Sequence, residues 1–151
     1  MPAISLWGPC TWTFFHVLAE KIKEEDYARL SSSLFALIKR ICTYLPCPDC
    51  SVHATRFLAK IKDEDILTKT DFQNMLYLFH NAVNVRKKKP LFNHVYLDRY
   101  KAISLEGAYN NFLRVYNTKG NMKMLTESFQ RSFIVNELKQ FLLQNQKSFS
   151  L

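Results

Sequence analysis

Leu45-Pro46-Cys47-Pro48-Asp49-Cys50-Ser51-Val52-His53 is the stretch on which the fold turns. Two cysteines at C-x-x-C spacing inside a strand–helix–strand pattern would read as thioredoxin-like. The flanks here are helical instead. Upstream, Leu30, Leu34, Leu37, Ile38 and Ile41 recur at spacings of three and four, which predicts a helix from an Asp26 cap to Tyr44. Pro46 ends it, because the residue before a proline avoids the helical region. Downstream, the cysteine pair opens a third helix running to about Ile61. Further out, a first helix is expected from Pro9, a favoured first-turn residue, to about Lys23. A polar connector, Lys62-Asp63-Glu64-Asp65, precedes a capping box of Thr70 and Gln73 that starts a helix over 71–87, closed by Pro90. Residues 91–103 carry a weaker pattern, with one short helix around Val95–Tyr100. Ser104 caps a helix to about Tyr116, Gly120 and Asn121 make a break, and a last helix spans about 122–146. That helix is expected to set Leu125, Phe129, Phe133, Leu138, Phe141 and Leu142 on one broad face. The fold class is all-α.

Composition agrees. The 151 residues fit one domain, with 48% apolar residues to fill a core. The chain holds only three glycines, Gly8, Gly107 and Gly120. No G-x-G-x-x-G or G-x-x-x-x-G-K-[ST] is present, so neither a Rossmann turn nor a P-loop can hold a nucleotide. Few turn signals argue against a many-stranded sandwich or barrel. The five prolines all precede residue 91, which favours helix thereafter. No apolar run approaches the roughly 18 residues of a membrane span, and the N-terminus lacks a basic start and an apolar core, so no membrane insertion and no signal peptide are expected. The expected location is the cytoplasm, where cysteine pairs are more often catalytic or metal-binding than structural.

All four cysteines, Cys10, Cys42, Cys47 and Cys50, lie in the first 50 residues. A helix N-terminus stabilises a thiolate at the C-x-x-C pair, while Asp49 opposes it through its charge. By residue chemistry alone the pair is a redox disulfide, half of a zinc site completed by His53 with His16 or His80, or two buried thiols. Cys10 and Cys42 are isolated and read as small apolar residues, although they could pair with each other.

Two helices carry further chemistry. Trp12 and His16 share a face of the first, and His80 and Asn84 share a face of the fourth, with Val83 beside them. Each histidine alone reads as a satisfied core residue. Together they suggest a pocket for a flat polar ligand, stacked on Trp12 and hydrogen-bonded by His16, His80 and Asn84. The run Arg86-Lys87-Lys88-Lys89 would neutralise phosphate, or simply complement the helix dipole.

Three motifs in order then carry a family resemblance: Trp-Gly-Pro-x-x-Trp-x-x-x-His at 7–16, Leu-Pro-Cys-Pro-Asp-Cys-x-x-His at 45–53 and His-Asn-x-Val-Asn at 80–84, closing on Lys89-Pro90. The sequence resembles the Erv/ALR family of FAD-dependent sulfhydryl oxidases, in a short form similar to those encoded by large DNA viruses. The resemblance covers roughly residues 5–103. It implies a four-helix bundle plus a short fifth helix cradling FAD, which suits the scarcity of glycine. It assigns catalysis to Cys47 and Cys50. It assigns FAD contacts to Gly8, Trp12, His16, Cys50, His53, His80, Asn81, Val83, Asn84 and Lys89, with Tyr100 where relatives often carry Trp near the adenine, and Arg86 as a further phosphate contact. The implied reaction takes substrate thiols at Cys47, passes two electrons from Cys50 to the flavin and delivers them to O₂ as H₂O₂.

Two family features are missing. There is no second, shuttle cysteine pair, and no cysteine lies beyond Cys50 to form the structural pair of many cellular members. Electrons would therefore enter from protein thiols directly or from a thioredoxin-like dithiol partner, and a homodimer is expected. Residues 1–103 are read as the oxidase domain. Residues 104–151 are read as a helical extension whose aromatics Phe112, Tyr116, Phe129, Phe133 and Phe141 offer an interface. The host cytoplasm, and the virion if the source is viral, is the implied setting. The leading alternative is a zinc-binding helical module built on Cys47, Cys50 and His53. The +8 net charge gives only non-specific affinity for nucleic acid, and none is expected as a partner.

Overall fold

The computed structural model describes residues 4–117 and 122–151. Six α-helices follow in order among them: α1 (Ile4–Lys21), α2 (Glu24–Thr43), α3 (Pro48–Ala59), α4 (Lys69–Arg86), α5 (Leu105–Tyr116) and α6 (Met122–Gln144). Short 3₁₀ turns occupy Asp63–Ile66, His94–Ala102 and Gln146–Ser148. The described residues form no strand beyond an isolated bridge between Ile22 and Phe149, so the fold is all-α. None of the described helices is long and apolar enough to cross a membrane.

Helix α1 is the centre of the packing. It lies against α4, α5 and the His94–Ala102 turn, while α3 seats on α2 and α4. Its inner face is wholly buried at Phe14, Phe15, Val17 and Leu18, and the Phe14 ring stacks on Phe112 of α5 at 4.7 Å. Phe112 and Tyr116, expected at an interface, are therefore core residues. Tyr116 also donates its hydroxyl to the Ile41 carbonyl at 3.1 Å, tying α5 to the end of α2.

Several boundaries differ from expectation for local reasons. Helix α1 begins at Ile4 and carries Pro9 inside it, which forgoes one intrahelical bond but keeps the helix running. Lys23, not Asp26, caps α2, and Asp26 joins Glu24 and Glu25 in an acidic first turn that suits the dipole. Helix α4 is started by Thr68 and Asp71 rather than Thr70 and Gln73. Thr68 Oγ1 accepts from the Asp71 N–H at 3.0 Å, and the Asp71 carboxylate accepts from the Thr68 N–H at 3.1 Å. A carboxylate at this position is favoured over an amide by the helix dipole. Ser104 caps α5 as expected, accepting from the Gly107 N–H at 3.2 Å. The expected break at Gly120 and Asn121 lies outside the described residues.

Helix α6 keeps only part of the expected face: Leu138 is buried and Phe141 and Leu142 pack half-buried against the core, while the Leu125 side chain lies outside the described residues. Ser128, Arg131, Ile134 and Leu138 face inward, whereas Phe129 and Phe133 remain 61% and 64% exposed. The fully buried Arg131 donates to the Tyr44 carbonyl at 3.3 Å, just past the end of α2. Arg40 of α2 pairs with Glu137. The C-terminal segment folds back on the α1–α2 junction, where the Lys23 N–H donates to Ser148 at 2.8 Å and the Ser150 N–H to Lys21 at 2.7 Å.

Candidate active site

The redox stretch forms the start of α3. Pro46 and Pro48 hold Cys47 in an extended conformation, so it becomes the helix cap, with Pro48 in the first turn. Cys47 and Cys50 are joined by a disulfide, with Cα atoms 5.2 Å apart. The Cys50 N–H donates to Cys47 Sγ at 3.3 Å. Ser51 locks the loop from behind, its hydroxyl accepting from the Leu45 N–H at 2.9 Å. Cys50 is buried, at 8% exposure, and Cys47 is only half-buried. The two cysteines therefore differ in access: Cys47 is partly exposed and Cys50 is buried.

Arg86, at the end of α4, reaches the pair. Its Nη2 lies 3.8 Å from Cys50 Sγ and its Nη1 donates to Asp49 Oδ2 at 3.2 Å. Its Nε is shielded from water and has no hydrogen-bond partner among the described residues. His53 turns toward Asp49 at 3.8 Å. The zinc alternative loses its footing here. Both sulfurs are spent on each other, and the described residues hold no cluster of three His, Cys, Asp or Glu side chains suited to a metal. Cys10 and Cys42 are free thiols, not a pair. Burial of Cys42 pushes its thiol well above the ordinary range, which leaves it inert.

A second cluster sits between α1, α4 and the His94–Ala102 turn. Trp12 stacks on His80 at 4.3 Å with nearly parallel rings. His16 stacks on Tyr100 at 4.7 Å, and Phe92 on His80 at 4.8 Å. His16 Nε2 and His80 Nδ1 are 3.0 Å apart and share one N–H. Burial, then His80, lowers the His16 pKa to about 3. Burial, then Lys89, lowers that of His80 to about 4, so both rings are neutral near pH 7.

A cleft of about 350 Å³ opens over this cluster, and Gly8, Trp12, His80, Val83, Asn84, Lys89 and Tyr100 line it. A smaller cavity adjoins it, sharing Gly8, Trp12, Val83 and Lys87, and reaches Cys50 and Arg86. The structure thus brings most of the expected ligand contacts around two adjoining spaces. Three stand apart from them. His16 backs the cleft from the core. His53 lies on the α3 surface. Asn81 spends both side-chain polar atoms on the backbone of Phe92, at 2.7 and 3.0 Å. Sequence reasoning missed Trp7 and Phe92 and did not single out Lys87 from its basic run. Lys87 borders both spaces, lies 5.8 Å from the Trp7 ring centre, and has its pKa lowered by burial and by Lys89 and Arg86.

Comparison with known proteins points the same way. The chain is 29% identical over 92 residues to a protein of Invertebrate iridescent virus 6 whose name places it among FAD-linked sulfhydryl oxidases, covering 57% of this chain and 83% of that one. It is 31% identical over 97 residues to a Variola virus protein named in the same class, covering 56% and 95%. It is 29% identical over 85 residues to the FAD-linked sulfhydryl oxidase of African swine fever virus, covering 56% and 71%. No solved structure matches the chain significantly. A family model covers residues 9–102, from the proline inside α1 to the end of the turn that carries Tyr100, with the disulfide and every residue of the cleft lining but Gly8 inside that span: the chain belongs to the Erv1/Alr family.

Proposed function

We propose that this protein is an FAD-linked thiol oxidase that forms disulfides in protein substrates and passes their electrons to O₂. One observation carries the reading: the buried cysteine of a surface disulfide borders the cavity that adjoins the aromatic cleft. The residues of that cleft suit FAD. Trp12 and Tyr100 present flat faces, Lys87 and Lys89 bring positive charge with no acid among the lining groups, and the orphaned Arg86 Nε asks for an acceptor. Gly8, Val83 and Asn84 would border the group, and Asn81 would act by holding Phe92 over His80. His16 would fix the tautomer and tilt of His80 rather than touch the ligand. FAD, when bound, supplies a two-electron acceptor that O₂ reoxidises to give H₂O₂.

The protein's own step is thiol–disulfide exchange. A substrate thiolate attacks the accessible Cys47 sulfur, a mixed disulfide forms, and Cys50 leaves as thiolate with the electron pair. A second substrate thiol then attacks the mixed disulfide, releasing the oxidised product and the reduced pair. With no second cysteine pair in the sequence, the thiols reach Cys47 directly from a protein substrate or a thioredoxin-like dithiol partner. Residues 1–103 hold every group of this scheme, and residues 104–151 brace it through α5 and α6. A homodimer and a setting in the host cytoplasm or the virion complete the proposal.

The purified protein is expected to be yellow and to take up O₂ with dithiothreitol, producing H₂O₂. Cys47→Ser and Cys50→Ser should each abolish uptake. Full activity in either variant, or a colourless protein carrying stoichiometric zinc, overturns the reading.

A further inference from the structure

We infer that Arg86 is a catalytic residue of the exchange step, stabilising the thiolate that Cys50 becomes when the Cys47–Cys50 bond opens. The inference rests on the oxidase reading and deepens it. The basic run at the end of α4 suggests Arg86 as a phosphate ligand, but its guanidinium lies at the disulfide. Nη2 is 3.8 Å from Cys50 Sγ, and Nη1 is held by Asp49 Oδ2 at 3.2 Å.

The Asp49 pairing resolves a conflict in the motif. A carboxylate between the two cysteines disfavours a thiolate beside it. Asp49 is 76% exposed and paired with Arg86, whose other terminal nitrogen lies 3.8 Å from Cys50 Sγ, so the carboxylate's charge is offset by a guanidinium in contact with the sulfur. The α3 N-terminus adds to this, because Cys50 lies in its first turn. A guanidinium keeps its proton, so the effect is electrostatic and requires no proton transfer to sulfur. The step balances: the substrate-sulfur–Cys47 bond forms, the Cys47–Cys50 bond breaks, and Cys50 takes the electron pair. A leaving thiol of lower pKa leaves faster, so Arg86 speeds entry of electrons into the protein. Asp49 is the positioning residue that aims it.

The test uses the full chain carrying Cys47→Ser, with and without FAD. The alkylation rate of Cys50 by iodoacetamide is followed against pH by peptide mass mapping. Arg86→Gln should raise the midpoint by about one pH unit and Arg86→Lys by less. In the intact pair, Arg86→Gln should slow reduction of the disulfide by dithiothreitol several-fold. Circular dichroism confirms that each variant is folded. An unchanged midpoint in folded Arg86→Gln overturns the inference, and so does weakened FAD binding without a midpoint shift, which would return Arg86 to the phosphates. A midpoint shift, together with no O₂ uptake by the unsubstituted chain given dithiothreitol and FAD, would support the role of Arg86 while removing the oxidase reading.

Discussion

His16 and His80 are neutral because neither can be charged cheaply where it sits. Both folded pKa values, about 3 and about 4, lie below the ordinary histidine value, so the unfolded chain takes up protons first. Stability from this pair is complete above about pH 6.5 and is lost as pH falls toward the folded values. By pH 5 the loss should reach about 2 kcal/mol for His16, and less for the half-buried His80, where solvent screens the charge. Thermal unfolding of the flavin-free protein between pH 7 and 5 measures it. His16→Phe should flatten the slope. An equally steep slope in that variant would show that the pair is not the cause.

Helices α3 and α4 meet the site with opposite ends, and each end is built by a few backbone bonds. The start of α3 uses a sulfur where a helix ordinarily uses Ser or Asp, which places the disulfide in the first turn. The end of α4 closes with a paired turn: the Lys89 N–H donates to the Asn84 carbonyl at 2.8 Å and the Lys88 N–H to Val85 at 3.1 Å. Lys88 takes φ of 57°, a conformation that glycine adopts without cost. The turn swings Lys89 to the cleft, and Lys88 does not line it. Lys88→Gly should therefore stabilise the protein by about 1 kcal/mol in chemical denaturation while leaving flavin binding intact. Lower stability would mean that the lysine side chain holds the turn.

At the scale of the molecule, residues 104–151 complete the core and also leave something uncovered. Phe112 closes the α1 face, Tyr116 ties α5 to the end of α2, and Arg131 holds that same end just before the redox loop. Phe129 and Phe133, four apart on α6, are exposed as neighbours, and a paired aromatic face suits a second copy of the chain better than water. Under the homodimer proposal, Phe129→Asp with Phe133→Asp should convert the dimer to a monomer in sedimentation equilibrium without loss of helicity. A dimer that survives both changes would place the contact elsewhere.

The all-α fold and the chemical groups of the site were legible in the sequence because they depend on local rules. Periodicity marks a helix, a proline stops one, and a C-x-x-C pair beside a helix start narrows the chemistry to a redox disulfide, a metal site or buried thiols. Ser104 was readable as a cap for the same reason. Helix faces were less legible where polar and apolar residues mix. In α6 the stripe is set by what α2 offers, so Arg131 goes inward to meet a helix-end carbonyl and two phenylalanines stay outside. The capping box of α4 was misplaced because two overlapping patterns fit, and only the backbone decided between them. Sequence by itself determined which residues could do chemistry here. Tertiary structure decided which of them do it together: Arg86 lies 36 positions from Cys50 in the chain and within reach of its sulfur, because α4 ends where α3 begins.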